Sequence, residues 1–345
     1  MLKADSSPAG AYSAAMHGWL IIDKPVGPGS TQVVSAVKRA LKAGGYRKVK
    51  VGHGGTLDPL ASGVLPVALG EATKLAGRML DADKVYEFTC RFGVETSTLD
   101  AEGEVVARSA IRPALAEVEA VLPRFTGAIK QVPPAYSALM IEGKRAYDRA
   151  RAGEQVEMKT RQVTVHDLKL LPGTGRGTML RMVEGAPGHA EGPLHRPAGG
   201  PPPRAGEDQI TLIARVSKGT YIRSLARDIA RALGTVGSVT MLRRTKAGPF
   251  TIDGAISLDK LGDLAKARAL EQALLPLAAG LDDIPALPVT PDQARLLRQG
   301  QKAIGIAAPS GLHLATDGLV PVALVEVSGP EARVVRGFNL PDVEG

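Results

Sequence analysis

The 345-residue sequence has one cysteine, few aromatic residues and no long apolar run. The single Cys90 excludes an internal disulfide framework and a zinc site built from several cysteines, and it favours a reducing compartment. No apolar run reaches the roughly 18 residues of a membrane helix, and residues 1–15 lack the apolar segment of a signal peptide. We therefore expect a cytoplasmic protein with no membrane partner. We expect its residues 1–15 to form a disordered tail.

Motifs for nucleotides and metals are also absent. The sequence contains neither GxxxxGK[ST] nor GxGxxG, and its six histidines include no i, i+4 pair. Residues 27–31 open a helix that could receive one phosphate, but Pro25 and Pro28 each remove a backbone donor, which favours a simple turn. The sequence thus predicts no nucleotide cofactor and no metal.

Positive charge is what the chain has in excess. The net charge is +8, and such an excess favours an anionic partner, of which nucleic acid is the commonest. Six lysines and arginines and no acid fall within residues 38–50, whereas residues 286–345 carry five basic and six acidic side chains. A solvated surface would also explain the basic run, so charge alone leaves the partner open.

The pattern of elements predicts an α+β fold. Hairpin-spaced strand candidates at residues 48–51, 86–92, 163–171, 209–216 and 236–243 alternate with helix candidates at residues 30–42, 71–80, 113–122 and 219–233.

Two segments divide the chain. Residues 172–206 hold nine glycines and seven prolines, which predicts a largely disordered surface insertion. A proline-containing linker near residue 285 precedes a β-rich module. The predicted domains are residues 16–284, carrying the insertion, and residues 286–345.

Two side chains stand out as candidates for chemistry. Asp58 follows a glycine pair and precedes Pro59, so it lies in a rigid turn, where an Asx-turn is the ordinary structural interpretation. Arg223 lies in the first turn of a predicted helix, where its guanidinium could clamp a carboxylate or phosphate, although it also belongs to a polar stripe with Arg227 and Arg231.

Several segments together resemble the TruB family of pseudouridine synthases. The longest is GHGGTLDPLASG at residues 52–63. Six shorter segments also match, and all seven occur in family order over about 230 residues. The shorter segments are LIIDKP (20–25), GEATK (70–74), DKVY (83–86), QVPPAYSAL (131–139), SKGTYIR (217–223) and LRR (242–244).

The resemblance implies a fold and a reaction. The fold would be a mixed, mainly antiparallel sheet flanked by helices, followed by a small PUA-like RNA-binding domain at residues 286–345. The reaction would convert the T-loop uridine of tRNA, position 55, to pseudouridine. It needs no cofactor or metal, and the enzyme would be of the bacterial, stand-alone type and monomeric.

The resemblance also implies roles for residues. Asp58 would be the catalytic carboxylate, held ionised by Arg223. Tyr86 would stack on the uracil, Tyr221 and Leu242 would wall the pocket, and His53 would contact the flipped nucleotide or fill its place. The expected RNA phosphate contacts are Lys74, Lys144 and Arg145.

Two departures from the family pattern are visible. Met140 stands where a basic residue is common, and the insertion at residues 172–206 has no counterpart.

Two other functions remain open: an RNA-folding chaperone with vestigial catalytic residues, and a metabolic enzyme for a free nucleotide. The latter would lack a phosphate-binding motif.

Overall fold

A computed structural model describes residues 16–137, 139–141, 143–154, 157–171 and 208–340. The tail at residues 1–15 and the insertion at residues 172–206 lie outside these ranges, so what the sequence predicts for them stays a prediction.

The described residues contain seven α-helices: α1 Ser30–Ala43, α2 Ala76–Asp81, α3 Leu115–Val121, α4 Ala146–Arg151, α5 Ile222–Ala232, α6 Leu258–Lys266 and α7 Pro291–Arg298. Short 3-10 helices occupy Gly70–Leu75, Leu122–Phe125, Ile252–Gly254, Leu270–Ala273 and Leu277–Gly280.

The same residues contain nineteen strands: β1 Gly18–Lys24, β2 Val51–His53, β3 Ala61–Leu69, β4 Lys84–Phe92, β5 Val94–Thr96, β6 Val105–Arg108, β7 Gly127–Gln131, β8 Met140–Ile141, β9 Lys144–Arg145, β10 Arg161–Leu170, β11 Gln209–Val216, β12 Gly237–Ala247, β13 Phe250–Thr251, β14 Leu275–Pro276, β15 Ala286–Pro288, β16 Ala303–Ile304, β17 Gly311–Asp317, β18 Val320–Ser328 and β19 Glu331–Gly337.

The chain divides into two compact units. The first comprises the described residues of Met1–Lys84 and Arg243–Gly345, and the second comprises those of Val85–Leu242. The α+β class predicted from the sequence is confirmed, since antiparallel strands and helices are mixed along both units. The domain boundaries drawn from the sequence at residues 284 and 286 are not tested by this division and stay predictions.

Strands β1 and β3 form the centre of the first unit. They pair antiparallel from Gly18↔Leu69 to Lys24↔Gly63. Strand β2 pairs with the last three residues of β3. Both central strands are almost entirely buried because their sequences are nearly continuous apolar runs. Trp19 fixes the core beneath them: its ring lies 5.3 Å from that of Phe250, and its Nε1 donates to the Leu277 carbonyl.

The β-rich module predicted at the C-terminus is present. Its strand order is β15-β17-β18-β19-β16, and helix α7 is capped at its N-terminus by Thr290, whose hydroxyl accepts from the Gln293 amide. The module has a core of its own, but Leu314, Leu324 and Phe338 belong to the apolar cluster of Trp19.

The second unit is a sheet covered by helices. Strand β10 pairs antiparallel with β11 on one side and β7 on the other. The buried face of α5, which includes Ile222, Leu225 and Ile229, packs into a core with Phe88 and Phe92 of β4. The first turn of α5 is thereby held against the sheet.

Several predicted boundaries differ from the structure, and three of them are informative. The strand predicted at residues 48–51 begins only at Val51, which pairs with the last residue of β3, Leu69. The helix predicted at residues 71–80 starts as a 3-10 helix before α2. The helix predicted from Gly219 begins at Ile222, because Gly219 has a φ of +78° and Tyr221 has extended backbone.

Gly63 provides a test of how tightly β3 packs. Its φ is +101°, and a Cβ there would lie 2.1 Å from the carbonyl oxygen of Arg244. We expect Gly63→Ala to lower the free energy of unfolding by about 2 kcal/mol or more, because it adds both backbone strain and a clash with main chain.

Urea unfolding measures this change. Gly262→Ala in α6 is the matched control, since a Cβ there meets no atom within 4 Å. That substitution should be neutral or stabilising by up to about 1 kcal/mol. Equal stability of the two variants would contradict the packing described for Gly63.

Candidate active site

Asp58 lies half-buried in the loop between β2 and β3. The loop is closed by backbone hydrogen bonds at both ends: the Gly54 amide donates to the Pro66 carbonyl at 2.8 Å, and the Ala61 amide donates to the Asp58 carbonyl at 3.0 Å. The turn that the sequence predicts at Asp58 is therefore present.

Ser30 fixes the loop from the N-terminus of α1. Its buried hydroxyl accepts from the Leu57 amide at 2.8 Å and donates to the Leu57 carbonyl at 3.1 Å. Both polar groups of the residue preceding Asp58 are thus satisfied by one side chain. In addition, the Gly27 amide donates to the Pro59 carbonyl at 2.8 Å.

Two buried cations complete the surroundings of the loop. The Lys24 ammonium, with no exposed surface, donates to the carbonyls of Pro25, Pro28 and Pro59 at 2.8, 2.7 and 3.2 Å. Burial lowers the pKa of Lys24 to about 8; the Asp58 carboxylate raises this pKa and the Arg244 guanidinium lowers it.

The second cation is Arg244, on β12. It donates to the carbonyls of Val64, Thr56 and Gly55 at 2.8, 3.3 and 3.2 Å. Sequence reasoning assigns no role to Ser30, Lys24 or Arg244. The two cations lie in segments of family resemblance, but no periodicity distinguishes a buried cation from an exposed one.

His53 ends β2 in the same unit as Asp58. Its Nδ1 accepts a hydrogen bond from the Gly55 amide at 3.4 Å. Burial lowers the pKa of His53 below its ordinary value, and the Arg244 guanidinium lowers it further, so the imidazole is neutral at pH 7. Its predicted contact with a flipped nucleotide stays a prediction.

Arg223 occupies the first turn of α5 in the second unit, as predicted, and is 5% exposed. Its Nη1 donates to the Thr98 carbonyl at 2.8 Å and to Asp100 Oδ2 at 3.1 Å, and its Nη2 donates to the Tyr136 carbonyl at 3.0 Å. The predicted pairing with Asp58 joins residues of two units and stays a prediction.

Asp100 is the partner that sequence reasoning misses. This buried carboxylate also accepts from the Thr98 hydroxyl and from the Glu102 amide, so its position is fixed independently of Arg223. No motif points to it, because an acid at the turn between two short strands resembles any surface hairpin.

Tyr221 immediately precedes α5. The Gln131 side chain accepts from the Tyr221 amide at 2.8 Å and donates to the Tyr221 carbonyl at 3.1 Å, and the Arg161 guanidinium lies 5.6 Å from the ring centroid. Tyr86 and Leu242 are half-buried against the core of this unit. The structure thus places all three predicted pocket residues in the second unit; their contact with uracil stays a prediction.

The three predicted phosphate contacts have different surroundings. Lys74 forms an ion pair with Glu71 at 2.7 Å and donates to the Gly337 carbonyl at 2.8 Å, so it already has protein partners. Lys144 and Arg145 form the exposed strand β9, and Arg145 lies 6.0 Å from the ring centroid of Tyr147. Contact of these three residues with RNA stays a prediction.

Two kinds of feature are absent from the described part of the chain. Within the ranges given above, no group of three or more histidine, cysteine or carboxylate side chains could hold a metal ion. None of the helices there is both long and apolar enough to cross a bilayer.

The pKa of Lys24 gives a test of its burial. Between pH 8 and its ordinary value of 10.5, the unfolded chain retains a proton that folded Lys24 has released. Unfolding therefore takes up a proton, so the free energy of unfolding should rise with pH across this interval relative to Lys24→Met.

Urea unfolding at several pH values between about 7.5 and 10 checks this expectation. Lys38→Met removes an exposed lysine and should run parallel to the unsubstituted protein. If Lys24→Met also runs parallel, the ammonium has an ordinary pKa and is not desolvated.

Comparison with known proteins gives consistent results. The family model described as "TruB family pseudouridylate synthase (N terminal domain)" matches residues 38–185, and the model described as "tRNA pseudouridylate synthase B C-terminal domain" matches residues 223–282. The second match ends before the module of strands β15 to β19.

Curated relatives match over nearly the whole chain. The protein named "tRNA pseudouridine synthase B" from Zymomonas mobilis subsp. mobilis is 58% identical over 94% of this chain and 97% of its own. The protein of the same name from Novosphingobium aromaticivorans is 60% identical over 95% and 99%.

Two solved structures share the fold. The chain in "Structure of H/ACA RNP bound to a substrate RNA containing 2'-deoxyuridine" has a TM-score of 0.64 and 22% identity, covering 97% of this chain and 92% of that one. The chain in "Crystal Structure of a Cbf5-Nop10-Gar1 Complex" has a TM-score of 0.64 and 24% identity, covering 98% and 92%. From the family models and the identities above, the chain belongs to the TruB family of pseudouridylate synthases.

Proposed function

We propose that this enzyme converts the uridine at position 55, in the T-loop of tRNA, to pseudouridine, with Asp58 as the catalytic carboxylate. The observation that carries the proposal is the loop of Asp58, which Ser30, Lys24 and Arg244 hold in a member of this family. Curated relatives at 58% and 60% identity bear the name tRNA pseudouridine synthase B, which supports tRNA as the substrate.

The reaction is an isomerisation whose atoms balance without a co-reactant. The bond from uracil N1 to ribose C1′ breaks, the base turns, and C5 becomes bonded to C1′. The hydrogen on C5 leaves as a proton, and N1 gains one. Because no electrons enter or leave, the carboxylate and the surrounding protein groups suffice.

Asp58 can act in either of two ways. Its carboxylate could add covalently during cleavage of the glycosidic bond, or it could remove a proton from the sugar. Both require an ionised carboxylate with a fixed direction of approach. The closed loop supports the second condition, a fixed direction.

Arg223 is the proposed partner of Asp58. Its guanidinium is oriented by the carboxylate of Asp100 and by two backbone carbonyls. A guanidinium held in this way presents a planar pair of donors in a fixed direction, which matches the two oxygens of a carboxylate. Such a partner would keep Asp58 ionised and aimed during the reaction.

The base pocket is proposed from Tyr86, Tyr221 and Leu242, with His53 contacting the flipped nucleotide. Flipping a base from a folded loop costs a few kcal/mol, which stacking on an aromatic ring offsets. The two hydrogen bonds between the Gln131 side chain and the Tyr221 backbone, one donated and one accepted by Gln131, support a fixed main chain at this position.

Contacts with RNA phosphates are proposed for Lys74, Lys144 and Arg145 and for the basic run at residues 38–50. Among the described residues, none of the six lysines and arginines of that run forms an ion pair, and all six are exposed. By contrast, Lys74, Arg78 and Lys302 each have an acidic partner. Unpaired surface cations are available to phosphates.

The enzyme is proposed to act in the cytoplasm, as a monomer, on the T-arm of tRNA. It would use no nucleotide cofactor and no metal. All the residues assigned to the proposed chemistry come from one chain, so the proposal needs no second subunit.

The test of function is release of tritium from tRNA transcribed with uridine tritiated at C5. We expect one equivalent per tRNA from the unsubstituted enzyme and none from Asp58→Asn, because C5 loses its hydrogen only when the new carbon–carbon bond forms. Asp58→Asn should keep its tRNA affinity, since the amide has the shape of the carboxylate.

Asp283→Asn is the control, as this exposed acid pairs with Arg78 outside the loop. A transcript lacking the T-loop uridine should release nothing from that site. Binding and refolding of tRNA without release by the unsubstituted protein would instead establish the chaperone function. A large drop in the affinity of Asp58→Asn would make Asp58 a structural residue.

Arg223→Lys should lower the single-turnover rate severely, because lysine lacks the planar fork and cannot serve Asp100, the two carbonyls and a second carboxylate together. The control is Arg231→Lys on the same helix, where an arginine 56% exposed pairs with Glu95. A near-normal rate for Arg223→Lys would remove Arg223 from the mechanism.

The basic run predicts a change in salt dependence. Replacing Lys38 and Lys42 with alanine should weaken tRNA binding and reduce the slope of log affinity against log salt by about one for each phosphate that the protein no longer neutralises. Lys302→Ala, which breaks an ion pair in the C-terminal module, is the control. An unchanged slope would assign the run to a solvated surface.

A further inference from the structure

The side chain of Arg244 is unusual in its combination of burial and partners. It is 1% exposed, and within the described part of the chain its hydrogen bonds go to the backbone carbonyls of Gly55, Thr56 and Val64 and to no carboxylate. Burying a cation without an ion pair is costly unless hydrogen bonds satisfy its donors, and here the three carbonyls do so.

The neighbouring Arg243 shows what an ordinary arginine does on the same strand. It is one-third exposed, pairs with Asp23 at 2.9 Å and donates to the Ser62 hydroxyl at 3.3 Å. Alternation along β12 directs these two side chains to opposite faces of the strand. Of the two, Arg244 is the one that reaches the loop preceding Asp58.

The three acceptors of Arg244 lie on both sides of Asp58 in the sequence. Gly55 and Thr56 belong to the loop itself, three and two residues before Asp58, whereas Val64 belongs to β3, which follows it. A planar guanidinium with five donors can hold all three carbonyls in fixed directions, which a single ammonium cannot do. Arg244 therefore ties the start of the loop to the strand after it.

Gly55 is shaped to accept this contact. Its φ is +145°, a conformation that L side chains rarely adopt, and a Cβ there would lie 3.5 Å from Arg244 Nη1. The glycine lets its carbonyl turn toward the guanidinium. Lys24 acts in a similar way on the residue after Asp58, through the Pro59 carbonyl.

We propose that Arg244 is a positioning residue for Asp58: it fixes the backbone before the carboxylate and so sets the direction from which the carboxylate meets the nucleotide. This inference rests on the proposed function, in which Asp58 acts on the T-loop uridine. Arg244 touches no reacting atom and acts through the carbonyls of Gly55 and Thr56.

The test is Arg244→Lys, measured by single-turnover tritium release, tRNA affinity and thermal unfolding. Lysine keeps the charge but cannot hold three carbonyls. We expect the rate to fall about 100-fold, as a shift of about 1 Å in a catalytic group suffices for such a decrease. The affinity should stay within about threefold, because binding of the tRNA does not depend on the aim of Asp58.

Arg243→Lys is the matched control, since lysine can still pair with Asp23. It should retain the rate of the unsubstituted enzyme. A normal rate for Arg244→Lys, or equal decreases of rate in the two variants, would overturn the proposal. So would a fall in rate that matches a fall in affinity or in the folded fraction, because a merely structural arginine would produce that result.

Gly55→Ala keeps the test decisive if Arg244→Lys does not fold. It leaves Arg244 in place and disturbs one of its acceptors, so it should also lower the rate while keeping affinity. A normal rate in Gly55→Ala would then overturn the proposal. The proposed function fails separately, and earlier, if the unsubstituted enzyme releases no tritium or if Asp58→Asn releases it normally.

Discussion

The first unit depends on the hydrogen bonding of two buried cations to main-chain carbonyls. Lys24 and Arg244 together donate to six carbonyl groups, drawn from two loops and one strand. In the interior a carbonyl without a donor costs about as much as a missing hydrogen bond. Together with the Ser30 hydroxyl, these two cations therefore supply donors to the irregular backbone around Asp58.

The two units contribute different kinds of preorganisation. In the first, side chains hold the backbone of a loop, so that a half-buried carboxylate is fixed through its own main chain. In the second, a guanidinium is held directly by a carboxylate and by two carbonyls, at the first turn of a helix anchored in an apolar core. Both arrangements rely on protein groups whose partners are already in place before any RNA arrives.

Much of the fold can be predicted because periodicity reports burial. Helix α1 is predicted with the apolar side chains Val33, Val37 and Leu41 inward, and the structure has them so. The prediction for β2 starts too early: residues 48–50 look like a strand locally, but the pairing with β3 ends at Val51↔Leu69, and the Gly70 amide that donates to the Lys50 carbonyl already belongs to a 3-10 helix. The prediction for α5 also starts too early, because a glycine with positive φ and a helical glycine look alike in sequence.

The site is less predictable from the sequence than the fold. Family motifs single out Asp58 and Arg223 as candidates, but no local pattern points to Asp100, which binds Arg223 from 123 positions away in the chain. The same holds for Lys24 and Arg244. A lysine or arginine in sequence carries the expectation of a solvated surface, and only the three-dimensional arrangement of carbonyls shows that these two are inside.

The attachment of the C-terminal module has a consequence for how the chain can be divided. Leu314, Leu324 and Phe338 share a core with Trp19, and the amide of Asn339 donates to Glu71. The C-terminal strands thus cover apolar residues around β1. A truncation that removes these strands would expose the apolar core of the first unit to water. The module is therefore not an independent domain that can be moved between proteins. Replacing it with the module of a relative would also require replacing the residues that contact it around Trp19.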